Sequence, residues 1–364
     1  MLRITTIAAA MLLAASPALG FDTSAGTVRV TKVAGELEQP WAIGHLPDGG
    51  VLVTERDGAV VHLMADGSRV DLAGVPDVVN EGQGGMLDVM IPRDFASSRD
   101  VFLSYVARRG GVAGTAIGVG KLSADGTRLE GFKRLWQMAK PSNSARHFGS
   151  RIVEAPDGTL FLTIGDRGDR PSAQDLGNHN GTVVRLHRSG AVPPDNPFLG
   201  RPGVEPEIYS YGHRNPQGAA LDLQGNLWVA EHGARGGDEV NLIKPGGNYG
   251  WPVISYGVHY SGAKIGEGTS KAGMLQPEHY WDPSIAPSGM MVYSGKLWPE
   301  WKGDVFVGSL KFDYISRLSG SDLREVEQLQ HDTTGRVRDV VEGPDGAIWF
   351  LSVYDDALYR LTPN

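Results

Sequence analysis

The chain has 364 residues, and its 42 acidic and 34 basic residues give a net charge of −8. This balance argues against nucleic-acid binding, which requires a basic patch or stripe, and a chain without cysteine cannot form disulfides. Fifty glycines and 22 prolines predict many tight turns between short strands, and few long helices.

The first twenty residues predict a cleaved export signal. Arg3 precedes an apolar stretch at residues 4–15, and the small residues within 16–20 are typical of a cleavage site. The alternative is a membrane anchor, but the apolar run is shorter than the ~20 residues of a spanning helix. We therefore expect a mature chain of residues 21–364, periplasmic or secreted, with no membrane span.

A glycine-containing or aspartate-containing turn followed by a short apolar strand recurs six times along the chain. The strands begin near Val51, Val101, Thr159, Asn226, Val305 and Ala347. The spacing of roughly 40 to 80 residues leaves room for about four short strands in each unit, as in a propeller blade. A β-sandwich is the alternative, but the repeat favours an all-β, six-bladed β-propeller formed as a single domain.

Two longer segments, residues 174–206 and 256–282, are rich in Gly, Pro, Asn and His. We expect both to be long loops at one face of the disc. Loops on a rigid scaffold often hold binding and catalytic groups.

Polar residues at predicted strand ends could be functional or could simply form turns. Gln83 lies in the glycine-rich turn NEGQGG, and its amide can both donate and accept hydrogen bonds. His147 enters a strand, and Asp166 leaves the next strand of the same predicted hairpin. A carboxylate beside a histidine can fix the imidazole tautomer and stabilise its protonated form, as a general base requires.

Cationic and acidic residues suggest sites for anions and for calcium. Arg214 presents a planar fork suited to a carboxylate or to a developing oxyanion. Lys311 follows a strand, and Arg336 and Arg338 are two apart, so on one strand they would share a face. Together these residues predict a cationic pocket for a polyanion. The carboxylates and glycines of residues 231–250 suit calcium, or form a solvated acidic turn.

Five segments resemble one known family. They are RHFGSRIVEAPDGTLFLTIGDRG, SYGHRNPQGAALD, EHGARGGDEVNLIKPGGNYGWP, PSIAPSGMMVY and GRVRDVVEGPDG, in this order. Together they resemble the soluble pyrroloquinoline quinone (PQQ)-dependent sugar dehydrogenases of the glucose/sorbosone type, most closely the bacterial aldose sugar dehydrogenases. The resemblance extends from about residue 39 to residue 361.

The resemblance implies an enzyme that oxidises aldoses to lactones by hydride transfer to calcium-bound PQQ. His147 is similar to the family's base, Asp166 to the residue that orients it, and Arg214 to the arginine beside the reactive quinone oxygen. The positions similar to cofactor-binding residues are Gln83, Arg214, Asn215, Lys311, Arg336 and Arg338. The carbonyls of Gly233 and Ala234 are similar to the ligands of the calcium ion that binds the cofactor. The side chain of Glu239 and the main chain of Tyr249 are similar to ligands of a second, structural calcium ion.

Three positions depart from the family pattern. Ala234 stands where proline is frequent, Arg146 where glucose-oxidising relatives have an acid, and His259 where some relatives supply an acidic calcium ligand. The chain has no CxxCH haem motif, so its electrons must pass to an external acceptor.

Two other functions remain open from the sequence. A calcium-dependent propeller hydrolase, such as a lactonase, would use His147 and the acidic turn but would leave the cationic residues without a role. A non-catalytic, carbohydrate-binding propeller is the second, because the same fold serves both uses.

Overall fold

Short apolar strands and tight turns alternate throughout residues 19–364, the part of the chain that the computed structural model describes. The predicted signal falls mostly outside these residues, and Leu19 and Gly20 belong to the first strand. The chain begins with β1 (Leu19–Thr23) and β2 (Gly26–Ala34), which form an antiparallel pair.

Six antiparallel sheets follow around a ring, as the repeat predicted. Blade 1 contains β3 (Pro40–His45), β4 (Val51–Glu55), β5 (Val60–Leu63) and β6 (Arg69–Asp71). Blade 2 contains β7 (Met86–Met90), β8 (Asp100–Arg109), β9 (Val112–Leu122) and β10 (Leu129–Gln137). Blade 3 contains β11 (Ile152–Glu154), β12 (Leu160–Ile164), β13 (Thr182–Leu186) and β14 (Ile208–Tyr211).

The second half of the ring has the same organisation. Blade 4 contains β15 (Pro216–Leu221), β16 (Leu227–Glu231), β17 (Asp238–Leu242) and β18 (His279–Trp281). Blade 5 contains β19 (Pro287–Val292), β20 (Val305–Ser309), β21 (Ile315–Ser319) and β22 (Arg324–Leu329). Blade 6 contains β23 (Val337–Glu342), β24 (Ile348–Ser352) and β25 (Ala357–Pro363).

Helix is scarce in residues 19–364. A single α-helical turn, α1 (Phe95–Ser98), and two 3₁₀ turns (Arg170–Gln174 and Pro299–Trp301) lie between strands. No helix in this range has the length and apolar character needed to cross a membrane.

The second strand of each blade is the strand that the repeat identified. The six begin at Val51, Asp100, Leu160, Leu227, Val305 and Ile348, within one residue of the predicted positions. Strands β4, β12 and β20 are buried at every position. Neighbouring blades cover both of their faces, so each begins with three consecutive apolar residues rather than with an alternating pattern.

Two features close the ring. The first strand of each blade contacts the first strand of the next, and β23 of blade 6 contacts β3 of blade 1. Strand β2 pairs with β25, so the N-terminal segment supplies the fourth strand of blade 6 and β1 the fifth.

A buried charge cluster joins separate blades near the axis. The guanidinium of Arg151 in blade 3 lies 2.8 Å from a carboxylate oxygen of Asp88 in blade 2 and 3.1 Å from one of Asp339 in blade 6. Trp41 of blade 1 lies against the same guanidinium, 4.5 Å from ring centroid to Cζ. The other oxygen of Asp88 accepts the N–H of Ile152, at 2.6 Å.

The prediction of one long loop at residues 174–206 is wrong, because β13 crosses the segment. Residues 165–181 lie at the face where β12 ends, whereas residues 187–207 lie at the opposite face. There Arg185, near the end of β13, pairs with Asp157 of the β11–β12 turn and with Asp195. Residues 256–278 of the second predicted loop lie outside regular strands, and β18 forms the end of that segment.

Candidate active site

The antiparallel blades bring polar residues to one face of the ring. Each first strand begins at this face and each second strand ends there, so the residues before β7, β11, β15 and β23 meet those after β12, β16 and β20. The sequence-predicted site residues occupy these positions. They are Gln83, His147, Asp166, Arg214, Asn215, Gly233, Ala234, Lys311 and Arg336, with Glu239 and Arg338 one or two residues inside a strand and Tyr249 in the loop after β17.

His147 and Asp166 form a close pair. Nδ1 of His147 is 2.6 Å from Oδ1 of Asp166, with 12% of the His147 side chain exposed and none of Asp166. An ionised carboxylate only accepts hydrogen bonds, so Nδ1 carries the proton and Nε2 of the neutral ring has the free lone pair.

The surroundings keep this histidine neutral. Burial lowers the pKa of His147 below its ordinary 6.5, and the cations of Arg214 and Arg146 lower it further, against the opposing effect of Asp166. For Asp166, burial would raise the pKa, but hydrogen bonds from His147, Gly168 and Trp251 outweigh it and lower the pKa. The pair therefore combines a neutral imidazole with an ionised carboxylate.

The backbone of His147 adopts a left-handed conformation, with φ of 54°. This region is uncommon for residues with a side chain, and the surrounding structure must hold it. The N–H of His147 donates to Oε1 of Gln83 at 2.7 Å, and the N–H of Gly149 donates to Oδ1 of Asn215 at 3.2 Å. Gln83 therefore uses its oxygen on the His147 backbone and keeps its NH₂ group for a ligand.

Arg214 is oriented by Glu231, which the sequence analysis considered only as part of the acidic segment 231–250. Oε2 of Glu231 accepts the backbone N–H of Arg214 at 2.6 Å, and its other oxygen lies 2.7 Å from Nδ1 of His213. The guanidinium donates to the carbonyl of His232 at 3.2 Å, while its Nε has no partner within residues 19–364. A buried donor without a partner suits a ligand atom at this position.

A cationic cluster lies at the same face and includes Arg56, which the sequence analysis did not select. All members of the cluster contact neutral groups. Arg56 donates to the carbonyl of Gly84, and Arg336 donates to the carbonyl of Leu310. Arg338 donates to the side-chain oxygen of Gln217, and Lys311 lies over the ring of Phe312. Burial, followed by the charges of Arg336 and Arg56, lowers the pKa of Arg338 to about 9.

The prediction that Arg336 and Arg338 share a strand face needs correction. Arg336 precedes β23 and has φ of 46°, and a bulge between Val337 and Asp339 interrupts the strand's register. Their charges nevertheless act on each other. Arg56 could have been found from its position directly after β4, because Asp166 lies at the same face, two residues after β12.

A cavity of about 690 Å³ opens on this face, lined by Gly233, Ala234, Lys311 and Tyr260 among others. His232 also lines it, and its pKa is lowered well below the ordinary value by burial and then by Arg214, Arg338 and His147. The cavity is therefore close to the His147–Asp166 pair and to the cationic cluster.

The predicted calcium ligands form two groups. Asp238 accepts the N–H of Gly233 at 2.7 Å, and its second oxygen accepts the hydroxyl of Ser284 at 2.7 Å, so Asp238 holds the Gly233 turn in place. Gly233 and Ala234 both line the 690 Å³ cavity, and each has a backbone carbonyl. This donor set fits calcium, which binds oxygen ligands including backbone carbonyls.

Glu239 and Tyr249 line a second, small cavity of about 10 Å³, close to the size of a single water molecule, which shares Gly233 with the larger cavity. Burial raises the pKa of Glu239 well above its ordinary value, and the carboxylate of Glu231 raises it further. The hydroxyl of Tyr249 is 2.6 Å from the carbonyl of Leu242, so only its main chain is available at this position. A bound cation would compensate the buried carboxylates, so this group also fits calcium.

Two other groups fit a cation less well. Nδ1 of His259 is 2.7 Å from the guanidinium of Arg170. Because a positive group already contacts this nitrogen, it is poorly suited to bind a cation. His179, Glu205 and Glu207 form a cluster of potential ligands. However, the N–H of Ala139 donates to Nδ1 of His179 at 2.9 Å, so the neutral ring has its proton on Nε2, the nitrogen facing Glu207.

Known proteins similar to this chain share its fold over nearly the whole length. The family model described as glucose/sorbosone dehydrogenase matches residues 37–360. Aldose sugar dehydrogenase YliI of Escherichia coli is 43% identical over 334 residues, which cover 90% of each chain.

Two solved structures extend the comparison. The soluble aldose sugar dehydrogenase of Escherichia coli in its apo form is 41% identical, with a TM-score of 0.89 over 93% of this chain and 100% of that one. The PQQ-bound form of aldose sugar dehydrogenase from Streptomyces coelicolor is 27% identical, with a TM-score of 0.77 over 95% of this chain and 99% of that one. The chain belongs to the glucose/sorbosone dehydrogenase family.

Proposed function

We propose that this protein is a PQQ-dependent dehydrogenase that oxidises aldoses at the anomeric carbon to lactones. The observation that carries the proposal is the cationic cluster of Arg56, Lys311, Arg336 and Arg338, which is held by neutral groups near His147. Cations held in this way suit a ligand with several carboxylates, such as PQQ. Family membership and the PQQ-bound relative support the same cofactor.

The chain supplies donors of the types that PQQ requires. Arg336, Arg338 and Lys311 would bind its carboxylates, with Arg56 beside them. The NH₂ group of Gln83 and the side chain of Asn215 would complete the polar contacts. The carbonyls of Gly233 and Ala234 would hold a calcium ion against the cofactor.

When bound, PQQ would accept a hydride from the anomeric carbon, and calcium would polarise the quinone as a Lewis acid. Nε2 of His147 accepts the proton of the anomeric hydroxyl, because Nδ1 already donates to Asp166. The Asp166 carboxylate stabilises the imidazolium that forms. Loss of one proton and one hydride converts the cyclic aldose to its lactone.

Arg214 would stabilise negative charge that develops during the reaction. Its guanidinium has a buried Nε without a protein partner in residues 19–364, and Glu231 fixes the backbone from which it extends. A preorganised donor of this kind contributes most where charge appears in the transition state.

Electron transfer onward requires an external acceptor in the same compartment. The predicted export signal, residues 1–20, supports a periplasmic or secreted location for this protein and therefore for its electron acceptor. The N-terminal sequence of the protein recovered from the native host's secreted or periplasmic fraction would test this part of the proposal.

The activity is tested by dye reduction with purified protein and an excess of glucose or another aldose. Apoprotein alone is compared with apoprotein given PQQ, calcium, or both. We expect activity only with both additions. No turnover of any aldose by folded, cofactor-treated protein would contradict the proposal and favour the hydrolase or the binding module.

His147→Asn tests the base with little disturbance of the backbone, because asparagine tolerates the left-handed conformation better than most residues. We expect turnover to fall about 10²- to 10⁴-fold, the usual contribution of general-base catalysis, with PQQ affinity nearly unchanged. Full activity in this variant would exclude His147 as the base.

Calcium binding at the small cavity is tested without an activity measurement. We expect calcium to raise the melting temperature of the apoprotein and Glu239→Gln to reduce the increase. Glu300→Gln, at an exposed position, is the matched control. An equal calcium effect in the Glu239 variant would remove that residue from the ligand set.

A further inference from the structure

Trp251 joins the two parts of the proposed catalytic apparatus. Its indole N–H donates to Oδ2 of Asp166 at 2.8 Å, and the opposite oxygen of that carboxylate is the one that faces His147. Its ring lies against the guanidinium of Arg214, with Cζ 5.4 Å from a ring centroid. A single side chain thus contacts the partner of the base and the arginine expected beside the cofactor.

The chain holds Trp251 firmly. The residue is 6% exposed and packs with Ala173, Ala234 and Ile265. Its backbone N–H donates to the carbonyl of Gly212 at 2.9 Å, and its own carbonyl accepts from the side chain of Gln174 at 2.8 Å. The indole therefore has little freedom to leave Asp166.

Asp166 has three donors around its two oxygens. Oδ1 accepts from His147 and from the N–H of Gly168, both at 2.6 Å, and Oδ2 accepts from Trp251. Without the indole, Oδ2 would be a buried carboxylate oxygen lacking this donor, and the carboxylate could rotate. Rotation would change the direction in which it accepts the Nδ1 proton.

We infer that Trp251 is a positioning residue for the catalytic base: its indole N–H fixes the Asp166 carboxylate, and through it the tautomer and orientation of His147. This inference rests on the proposed function, because it assigns His147 as the base. Trp251 acts through Asp166 and need not touch the sugar.

The indole of Trp251 also lowers the pKa of His147. A donor on Oδ2 draws negative charge away from Oδ1, which weakens the stabilisation of protonated His147. Removing the donor should therefore raise the pKa of His147. The other charges acting on this pair are those of Arg146 and Arg214 on His147, and that of Arg167 near Asp166. His232 lies near His147 as well.

The test is Trp251→Phe, which keeps an aromatic face for Arg214 but lacks the N–H. We expect kcat to fall about ten- to a hundredfold, by analogy with the loss of outer hydrogen-bond partners of metal-bound histidines, with KM within about twofold. We also expect the acid-side midpoint of kcat/KM against pH to move to higher pH.

Trp228→Phe is the matched control. Its indole donates to Oδ2 of Asp222 at 3.0 Å, so it loses the same type of hydrogen bond at the opposite face of the propeller. We expect kcat and the pH midpoint to remain those of the native protein.

NMR of the histidine rings in the calcium-loaded apoprotein gives a readout independent of turnover. The signal that disappears in His147→Asn identifies His147, and its titration midpoint should be higher in Trp251→Phe than in the native protein. An unchanged midpoint together with an unchanged kcat would overturn the inference. Equal loss of activity in both tryptophan variants, with no shift in midpoint, would also overturn it by assigning Trp251 a merely structural role.

Failure of the proposed function would look different. The native protein would then oxidise no aldose, whereas the His147 titration would still report whether Trp251 governs the His147–Asp166 pair.

Discussion

The side-chain oxygen of Gln83 lies 2.7 Å from the backbone nitrogen of His147, linking the loop before blade 2 to the residue proposed as the base in blade 3. Arg56 supports this link by donating to the carbonyls of Gly82 and Gly84, on either side of Gln83. The base is therefore held through its backbone by Gln83 and through its ring by Asp166.

Gln83 should have two separable roles. Gln83→Leu removes the acceptor for the His147 N–H, and losing a hydrogen bond of about 1 kcal/mol should lower kcat roughly fivefold. Gln83→Glu keeps an acceptor oxygen but loses the amide donor and adds a negative charge near an anionic ligand, so it should chiefly weaken PQQ binding. Steady-state kinetics and PQQ titration of both variants check this. If the two variants changed kcat equally and PQQ affinity equally, the division of roles would be contradicted.

The pH dependence of activity should follow His147. The base must be neutral to accept a proton, so kcat/KM should be constant above the pKa of His147 and fall tenfold per pH unit below it. Burial and the neighbouring cations lower this pKa, so the midpoint in the unliganded enzyme should lie below 6.5.

Arg146→Gln removes one of those cations and should move the midpoint to higher pH. Arg128→Gln, at an exposed turn on the opposite face, should leave it in place. A shift to lower pH on removing Arg146 would show that another group controls the profile.

Arg338 should stabilise the holoenzyme more than the apoprotein. Its charge is partly enclosed and lies near Arg336 and Arg56, so replacing it with an apolar residue of similar length removes a repulsion. We expect Arg338→Met to melt no lower than the native apoprotein, and to bind PQQ at least about tenfold more weakly through loss of a charge-assisted hydrogen bond.

Thermal melts with and without PQQ and calcium measure both effects. The increase in melting temperature on cofactor binding should be smaller in the variant. A destabilised apoprotein with an undiminished response to cofactor would identify Arg338 as a structural residue instead.

Arg151 should be important for stability rather than for cofactor binding. Arg151→Met leaves the buried carboxylates of Asp88 and Asp339 without their cation, which should lower the free energy of unfolding by about 3–5 kcal/mol. Lys121→Met breaks an exposed pair with Asp100, 2.8 Å apart, and should lower it by less than about 1 kcal/mol. Denaturant unfolding of both variants provides the comparison, and similar losses would refute the role of the axial cluster.

Local patterns predicted much of the fold and part of the site. The six apolar second strands were identifiable because each is a short continuous run after a recognisable turn. The proximity of His147 and Asp166 was also predictable, since both flank one hairpin and the antiparallel pairing of β11 and β12 brings them together.

Other contacts depend on how the blades meet. No local pattern predicted that Trp251 would bind Asp166, that Glu231 would orient Arg214, or that Arg56 would lie near Arg338. The insertion at residues 174–206 was assigned to one face because glycine and proline content does not reveal that β13 crosses from one face to the other.

By itself the sequence determined the number of blades, the strands that form them and the hairpin that pairs His147 with Asp166, because these depend on turns and on periodicity within short segments. Only the tertiary structure decided which residues of different blades touch. Closure of the ring fixes the distances between blades, across the axis as well as between neighbours, and thereby brings Gln83 to His147, Trp251 to Asp166 and Arg151 to Asp339, residues separated by 64, 85 and 188 positions.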